Sequence, residues 1–207
     1  MPASTIYLMR HGDSRRDAVK RYIGQTDHPL NRTGRAEAEF WRRELQQVPF
    51  GRIVSSDLVR ALETAQIIAG GDGKSVEICA GLREIRMGAW DGRPVDEIRH
   101  DFPDEYERRG AMISGHRPPG GESFDDLARR VLPVFEELVL GSSGNLLSVG
   151  HAGVNRVILC HIMGRCRKDL FSIPQDYCCL NLIDYGTAGL RLRERNLSSL
   201  DNARLAQ

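Results

Sequence analysis

The chain reads as an α/β protein with helices packed on a central sheet, and three features of its 207 residues predict this. Short apolar runs of strand character fall at 6–9, 52–55, 76–79, 146–149 and 179–183. Stretches of helical periodicity separate them, and such alternation layers helices against a sheet. The length suits one domain, 1–207, which buries roughly 70% of the surface its unfolded chain exposes.

Each helix announces itself by an apolar stripe and a start signal. Gly34, Ala38, Trp41, Leu45 and Val48 step by three or four residues behind Asn31, a good N-cap. Leu58, Ala61, Ala65 and Ile68 do the same behind Ser56 and Asp57. Phe124, Leu127, Val131, Val134 and Leu138 form the cleanest stripe, opened by Ser123 as the capping residue. These are core faces. Between Glu84 and Ser123 the pattern loosens to one short helix from Pro94 to about His100, then Pro103 and a Gly- and Pro-rich stretch at 115–121. An irregular segment of this kind, around 85–122, is expected to be a cap inserted over one end of the sheet.

Charge and composition exclude several classes of function. Lys plus Arg number 29 against 28 Asp plus Glu, so no overall basic field draws the protein to nucleic acid or an anionic membrane. The apolar run at 6–9 is too short for a signal-peptide core, and no later stretch approaches the roughly 20 apolar residues of a membrane span. Five cysteines, with Cys178 and Cys179 adjacent and no paired C-x-x-C, fit a reducing cytoplasm. Cys160 and His161 would point to different faces of one helix, so with Cys166 they are expected to be buried thiols and no metal site. The polar tail after about Leu197 is expected to fray.

Two histidines follow apolar strands and sit beside glycines, in Leu8-Met9-Arg10-His11-Gly12 and Val149-Gly150-His151-Ala152-Gly153. In open α/β sheets the ligand crevice lies at the carboxyl ends of the strands, so both imidazoles can meet in one pocket. Arg10 precedes the first histidine, and Arg60 falls in the first turn of the helix after Ser55-Ser56-Asp57. Either arginine alone would be a solvated surface charge. Together with the histidines they suit a phosphate, because the guanidinium fork matches its oxygens and a helix N-terminus adds donors. Glu84, after the strand at 76–79, can reach the same rim as a proton donor. Phosphoryl transfer asks for a nucleophile, positive charge and an acid, and imidazole, arginines and a carboxyl supply all three without a metal or cofactor.

Beyond these residues the chain resembles the histidine phosphatase superfamily, in the branch shared by cofactor-dependent phosphoglycerate mutases and many small phosphatases. The likeness rests on six ordered blocks: Arg10-His11-Gly12; Gly24-Gln25-Thr26-Asp27-His28-Pro29-Leu30; Ser55-Ser56-Asp57-Leu58 with Arg60-Ala61 and Thr64-Ala65; Leu82 and Glu84 with Gly88, Trp90 and Gly92; Gly121-Glu122-Ser123; and His151 with Gly153. The resemblance implies a three-layer sandwich with a mostly parallel central sheet, phosphoglycerate mutase-like, with a small cap. It implies that His11 is the nucleophile, that Arg10, Arg60 and His151 line the phosphate pocket, and that Glu84 is the acid. Gly24, Gln25, Thr26 and Ala152 are expected to join in binding the substrate's phosphate. The position usually filled by a phosphate-touching asparagine is Asp17 here, and it is expected to turn outward and pair with Arg15, Arg16, Lys20 or Arg21.

The expected activity is hydrolysis of a small phosphomonoester, and the partner a small phosphorylated metabolite. The run at 24–30 resembles the α-ribazole phosphatases of cobalamin synthesis. Two other readings stand beside it. A mutase would return the phosphoryl group to a second hydroxyl, and Arg108-Arg109 lies near where mutases keep a substrate-binding pair. Against this, Glu84 is followed by Ile-Arg-Met-Gly where mutases carry Arg-His-Tyr-Gly. A phosphate-binding module without activity should have lost the nucleophile or the acid, and the chain has both. A homo-oligomer is compatible with the sequence.

Overall fold

A computed structural model describes residues 4–71, 75–187 and 189–198. Six strands, β1 (Ser4–Arg10), β2 (Phe50–Ser55), β3 (Glu77–Ile78), β4 (Asn145–Gly150), β5 (Leu180–Gly186) and β6 (Gly189–Leu197), form one sheet in the order β3-β2-β4-β1-β5-β6. The pairings β1 with β4, β2 with β4 and β2 with β3 are parallel, while β5 runs antiparallel to β1 and to β6. The sheet is therefore mostly parallel at its centre. The helices are α1 (Arg32–Glu44), α2 (Val59–Ala69), α3 (Val95–Asp101), α4 (Pro103–Ala111), α5 (Phe124–Leu140) and α6 (Ala152–Ile162).

Strand residues alternate between two cores, as a pleat requires when both faces are covered. Leu8, Val54 and Leu146 pack with Leu127, Val131 and Phe135 of α5 and Val157 and Ile158 of α6. Their neighbours Met9, Ile53 and Leu147 face the other way, onto Trp41 of α1 and Ala61, Ala65 and Ile68 of α2. Three layers result. Among the described residues no helix is long and apolar enough to cross a membrane.

The expected start signals act as written for two helices. The Asn31 side chain accepts from the Gly34 N–H, and Ser123 closes a reciprocal capping box with Asp126. Before α2 the cap is Leu58, which offers no side-chain bond. Several expectations need correction. The strand at 76–79 shrinks to Glu77–Ile78, both exposed at the sheet's edge. Pro103 opens α4 at its first turn, where a missing N–H costs nothing, and so starts a helix within the loose segment. The strand β6 went unread although Leu190 and Leu192 alternate with arginines, the pattern of a half-covered edge. Cys160 is buried but Cys166 is exposed, beyond the helix, and His161 faces outward. The expected fraying tail lies, from residue 199 on, outside the described residues.

Candidate active site

The register of the sheet brings the two histidines together. Arg10 and Gly150 end β1 and β4 opposite one another, so His11 and His151 leave the sheet side by side with ring centroids 5.2 Å apart. His11 is held at both ends of its peptide: its N–H donates to Gly150 O at 3.0 Å, and its carbonyl accepts from Cys178 N at 3.0 Å. The Gly12 N–H donates to Thr64 Oγ1 at 3.1 Å, and that hydroxyl donates in turn to Arg60 O at 2.7 Å. A glycine is needed at 12, since a Cβ there would lie 2.6 Å from Gly34 O.

Two neighbours assign the protons of His11. Nδ1 faces Gly12 O at 2.7 Å, and Nε2 faces Arg60 Nε at 3.3 Å. A carbonyl can only accept and a guanidinium can only donate, so the proton belongs on Nδ1 and the lone pair on Nε2. Burial, reinforced by Arg60 and Arg10, holds this imidazole well below the usual histidine pKa, and it is neutral at pH 7. His151 is lowered in the same way, by burial first and then by Arg60 and His11. Its Nε2 lies 3.0 Å from Ser56 Oγ, and its Nδ1 is buried without a partner.

Arg60 is almost entirely removed from water at 1% exposure. Its Nη2 donates to Gly24 O at 2.6 Å and its Nη1 to Thr26 O at 2.9 Å. The amides of Gly24, Gln25 and Thr26 all donate to the carboxylate of Asp91, at 2.9, 2.9 and 3.1 Å. The loop expected to grip phosphate thus spends its backbone on holding Arg60. Arg10 donates through Nη1 to Gln175 O at 2.6 Å and lies 3.7 Å over the ring of Tyr177, while its Nε is buried and unpartnered. That free donor beside His11 is the kind of atom an oxyanion satisfies.

Glu84 is aimed by the backbone around it. Its Oε1 accepts from Ile85 N at 2.8 Å and its Oε2 from Gly153 N at 3.0 Å, in the first turn of α6. The Glu84 carbonyl accepts from Gln25 Nε2 at 2.9 Å, and Arg130 of α5 donates to the carbonyls of Gly81 and Arg83 just before it. Side chain and backbone are both fixed.

One cavity of about 440 Å³ joins these groups, within the roughly 300–1,000 Å³ range of small-molecule sites. His11, Arg10, Arg60, Glu84 and Thr26 line it. His151 is fully buried, Ala152 opens α6, and neither of these nor Gly24 or Gln25 is among the residues that line the cavity. Asp17 is half exposed at the rim, where its Oδ2 meets Arg21 Nη2 at 3.3 Å and its Oδ1 accepts from Val19 N at 2.9 Å. Arg108 pairs with Glu105, and Arg109 is buried on α4 beside Tyr22 and Phe124; neither reaches the cavity. Sequence reasoning passed over Tyr177, Gln175 and Asp91, whose contacts with Arg10 and the 24–26 loop span scores of residues, and over the role of Thr64. Among the described residues no three His, Cys, Asp or Glu side chains converge to hold a metal ion.

The chain belongs to the histidine phosphatase superfamily (branch 1), whose family model matches residues 6–198. It is accordingly an enzyme acting on phosphoesters. Among similar proteins is one of Yersinia pestis named "Probable phosphoglycerate mutase GpmB", 32% identical over 87% of this chain and 84% of its own. In structure, the α-ribazole phosphatase of Shigella flexneri matches with a TM-score of 0.86 at 25% identity, covering 93% of this chain and 96% of its own. A mycobacterial glucosyl-3-phosphoglycerate phosphatase with VO3 matches at 0.83 and 26%, covering 94% and 100%.

The contact between Glu84 and Gly153 gives a direct prediction. A Cβ at 153 would lie 2.4 Å from Glu84 Oε1, so Gly153→Ala must push the carboxylate aside. Turnover of an alkyl phosphate should fall about 100-fold with the circular-dichroism spectrum unchanged, since misplacement by about 1 Å costs that much. A loss under threefold would mean that the carboxylate's position is immaterial.

Proposed function

We propose that the enzyme hydrolyses a small phosphomonoester through a phosphohistidine on His11. The opposed contacts on that imidazole carry the reading: a carbonyl at Nδ1 and a guanidinium N–H at Nε2 put the electron pair of a buried, neutral, cavity-lining ring on Nε2, held by Arg60 until a phosphoryl group takes that contact's place. In the first step Nε2 attacks phosphorus, and the bond to the leaving oxygen breaks with its electrons going to oxygen. Glu84 gives that oxygen its proton. In the second step the Glu84 carboxylate takes a proton from water, the water oxygen bonds to phosphorus, and the P–N bond returns its electrons to Nε2. Inorganic phosphate departs and both side chains are restored.

Arg10 and Arg60, both in the cavity wall, are the groups available to the charge that builds on the phosphoryl oxygens. With that charge met by side chains, the reaction proceeds without a divalent cation. The substrate is a small phosphorylated metabolite; α-ribazole 5'-phosphate is one candidate, given the Shigella neighbour. The name of the Yersinia relative favours transfer to a second hydroxyl. The burial of Arg109 on α4 and the pairing of Arg108 with Glu105 support hydrolysis instead, because neither arginine faces the cavity. All five cysteines are free thiols, which suits a reducing cytoplasm.

Quenching turnover of 32P-labelled ester in mild alkali should trap label on His11, stable to base and lost in acid. His11→Ala should fall to background, and wild-type turnover should survive exhaustive chelation. Full activity in His11→Ala, or activity lost to chelator and restored by Mg²⁺ or Zn²⁺, would overturn this mechanism.

A second test isolates the acid. Glu84→Gln should slow alkyl phosphates by 100-fold or more, and p-nitrophenyl phosphate by less than tenfold, because nitrophenolate leaves without a proton. Equal losses would remove Glu84 from that role.

A further inference from the structure

Residues 15–21 supply one wall of the cavity that holds His11, and this wall carries four cations, Arg15, Arg16, Lys20 and Arg21. Two of them are already matched. Arg15 makes a bidentate pair with the buried carboxylate of Asp13, its Nη2 2.6 Å from Oδ2. Arg21 pairs with Asp17 at 3.3 Å and donates to Gly92 O at 3.2 Å. The side chains of Arg16 and Lys20 make no hydrogen bond or ion pair with any of the described residues, although the Lys20 carbonyl accepts from Val95 N at 2.9 Å. The chain as a whole carries a formal net charge of only +1. Arg16 and Lys20 thus stand in the wall of the cavity without a countercharge.

Arg10 and Arg60 already stand at His11 and serve the phosphoryl group, so Arg16 and Lys20 exceed what a single phosphate requires. His28 lines the same cavity with its Nδ1 out of water and without a partner, and Arg16 lies close enough to act on its charge. A neutral leaving group could accept hydrogen bonds from these three groups but would bring no countercharge to the two cations. An anionic one would meet two cations and a ring nitrogen in a partly enclosed space, where charges are less screened than on open surface.

We propose that Arg16 and Lys20 form a second anion subsite, so that the preferred substrate is a phosphate ester whose leaving group itself bears a carboxylate or a second phosphate. This rests on the phosphoesterase reading above and narrows it, disfavouring esters of uncharged alcohols. The pairing of Asp17 with Arg21 fits the same design, since it balances a carboxylate of that wall that would otherwise repel such a group.

The test uses matched esters: 3-phosphoglycerate against glycerol 3-phosphate, which differ by a carboxylate, and fructose 1,6-bisphosphate against fructose 6-phosphate, which differ by a phosphate. For the wild-type enzyme, kcat/KM should favour the doubly anionic member of at least one pair by tenfold or more, mostly through KM. Which pair shows it identifies the second group. The preference should shrink as salt rises. In the double variant Arg16→Ser, Lys20→Ser the ratio should fall to within about twofold of one, through a rise in KM for the doubly anionic ester. Ratios within twofold in both pairs for wild type, or a preference unchanged in the double variant, would overturn the subsite. Should no ester, p-nitrophenyl phosphate included, release phosphate, the hydrolase reading fails by itself. Calorimetric dissociation constants for the same four compounds then decide the subsite by the same ratios.

Discussion

A guanidinium buried at 1% exposure is the constraint around which the site is arranged. Removing Arg60 from water costs several kcal/mol unless its N–H groups find acceptors, and burial does push its pKa down. Two of those acceptors are the carbonyls of Gly24 and Thr26, and the third is His11 Nε2. Carbonyls can turn toward Arg60 only if the amides of the same loop are satisfied elsewhere, and Asp91 satisfies three of them at once. Glu84, Asp27 and Asp91 add negative charge around it. The cationic floor of the cavity thus exists because the 24–26 loop and the Asp91 carboxylate are folded onto it.

The same arrangement explains how His11, the proposed nucleophile, differs from a merely buried histidine. Its ring sits at the end of a central parallel strand, where β1 and β4 stop together and nothing of the sheet continues above it. The Gly12 carbonyl fixes one nitrogen and Arg60 disfavours a proton on the other. Burial next to two arginines keeps the imidazolium form out of reach at neutral pH. Thr64 ties the two halves together, accepting from Gly12 and donating to Arg60 O, so the turn carrying His11 and the start of α2 are linked through one hydroxyl.

Much of this was legible in the sequence because it is local. Strand-end histidines, the Asn31 and Ser123 caps and the stripes of α1, α2 and α5 are read from spacings of one to four residues. Asp91, Gln175 and Tyr177 were not, because their partners lie 65, 165 and 167 residues away in the chain and no periodicity marks them. The 24–26 run shows the limit of resemblance: it names residues near a phosphate, while the geometry gives their backbone groups to Asp91 and Arg60. The edge strands β3 and β6 were misjudged for a different reason. A strand with one neighbour needs little apolar surface, and so leaves a weak apolar signal.

The central claim is the protonation state of one ring, and nitrogen NMR reads it directly. On 15N-histidine-labelled protein, with His11 assigned by its loss in His11→Gln, the account requires a neutral ring at pH 7 with a protonated Nδ1 and a bare Nε2. Because burial lowers the pKa, that pattern should persist as the pH falls through 6.5, where an exposed histidine is half charged. A proton on Nε2 at pH 7, or an imidazolium titrating with an ordinary pKa, would contradict it.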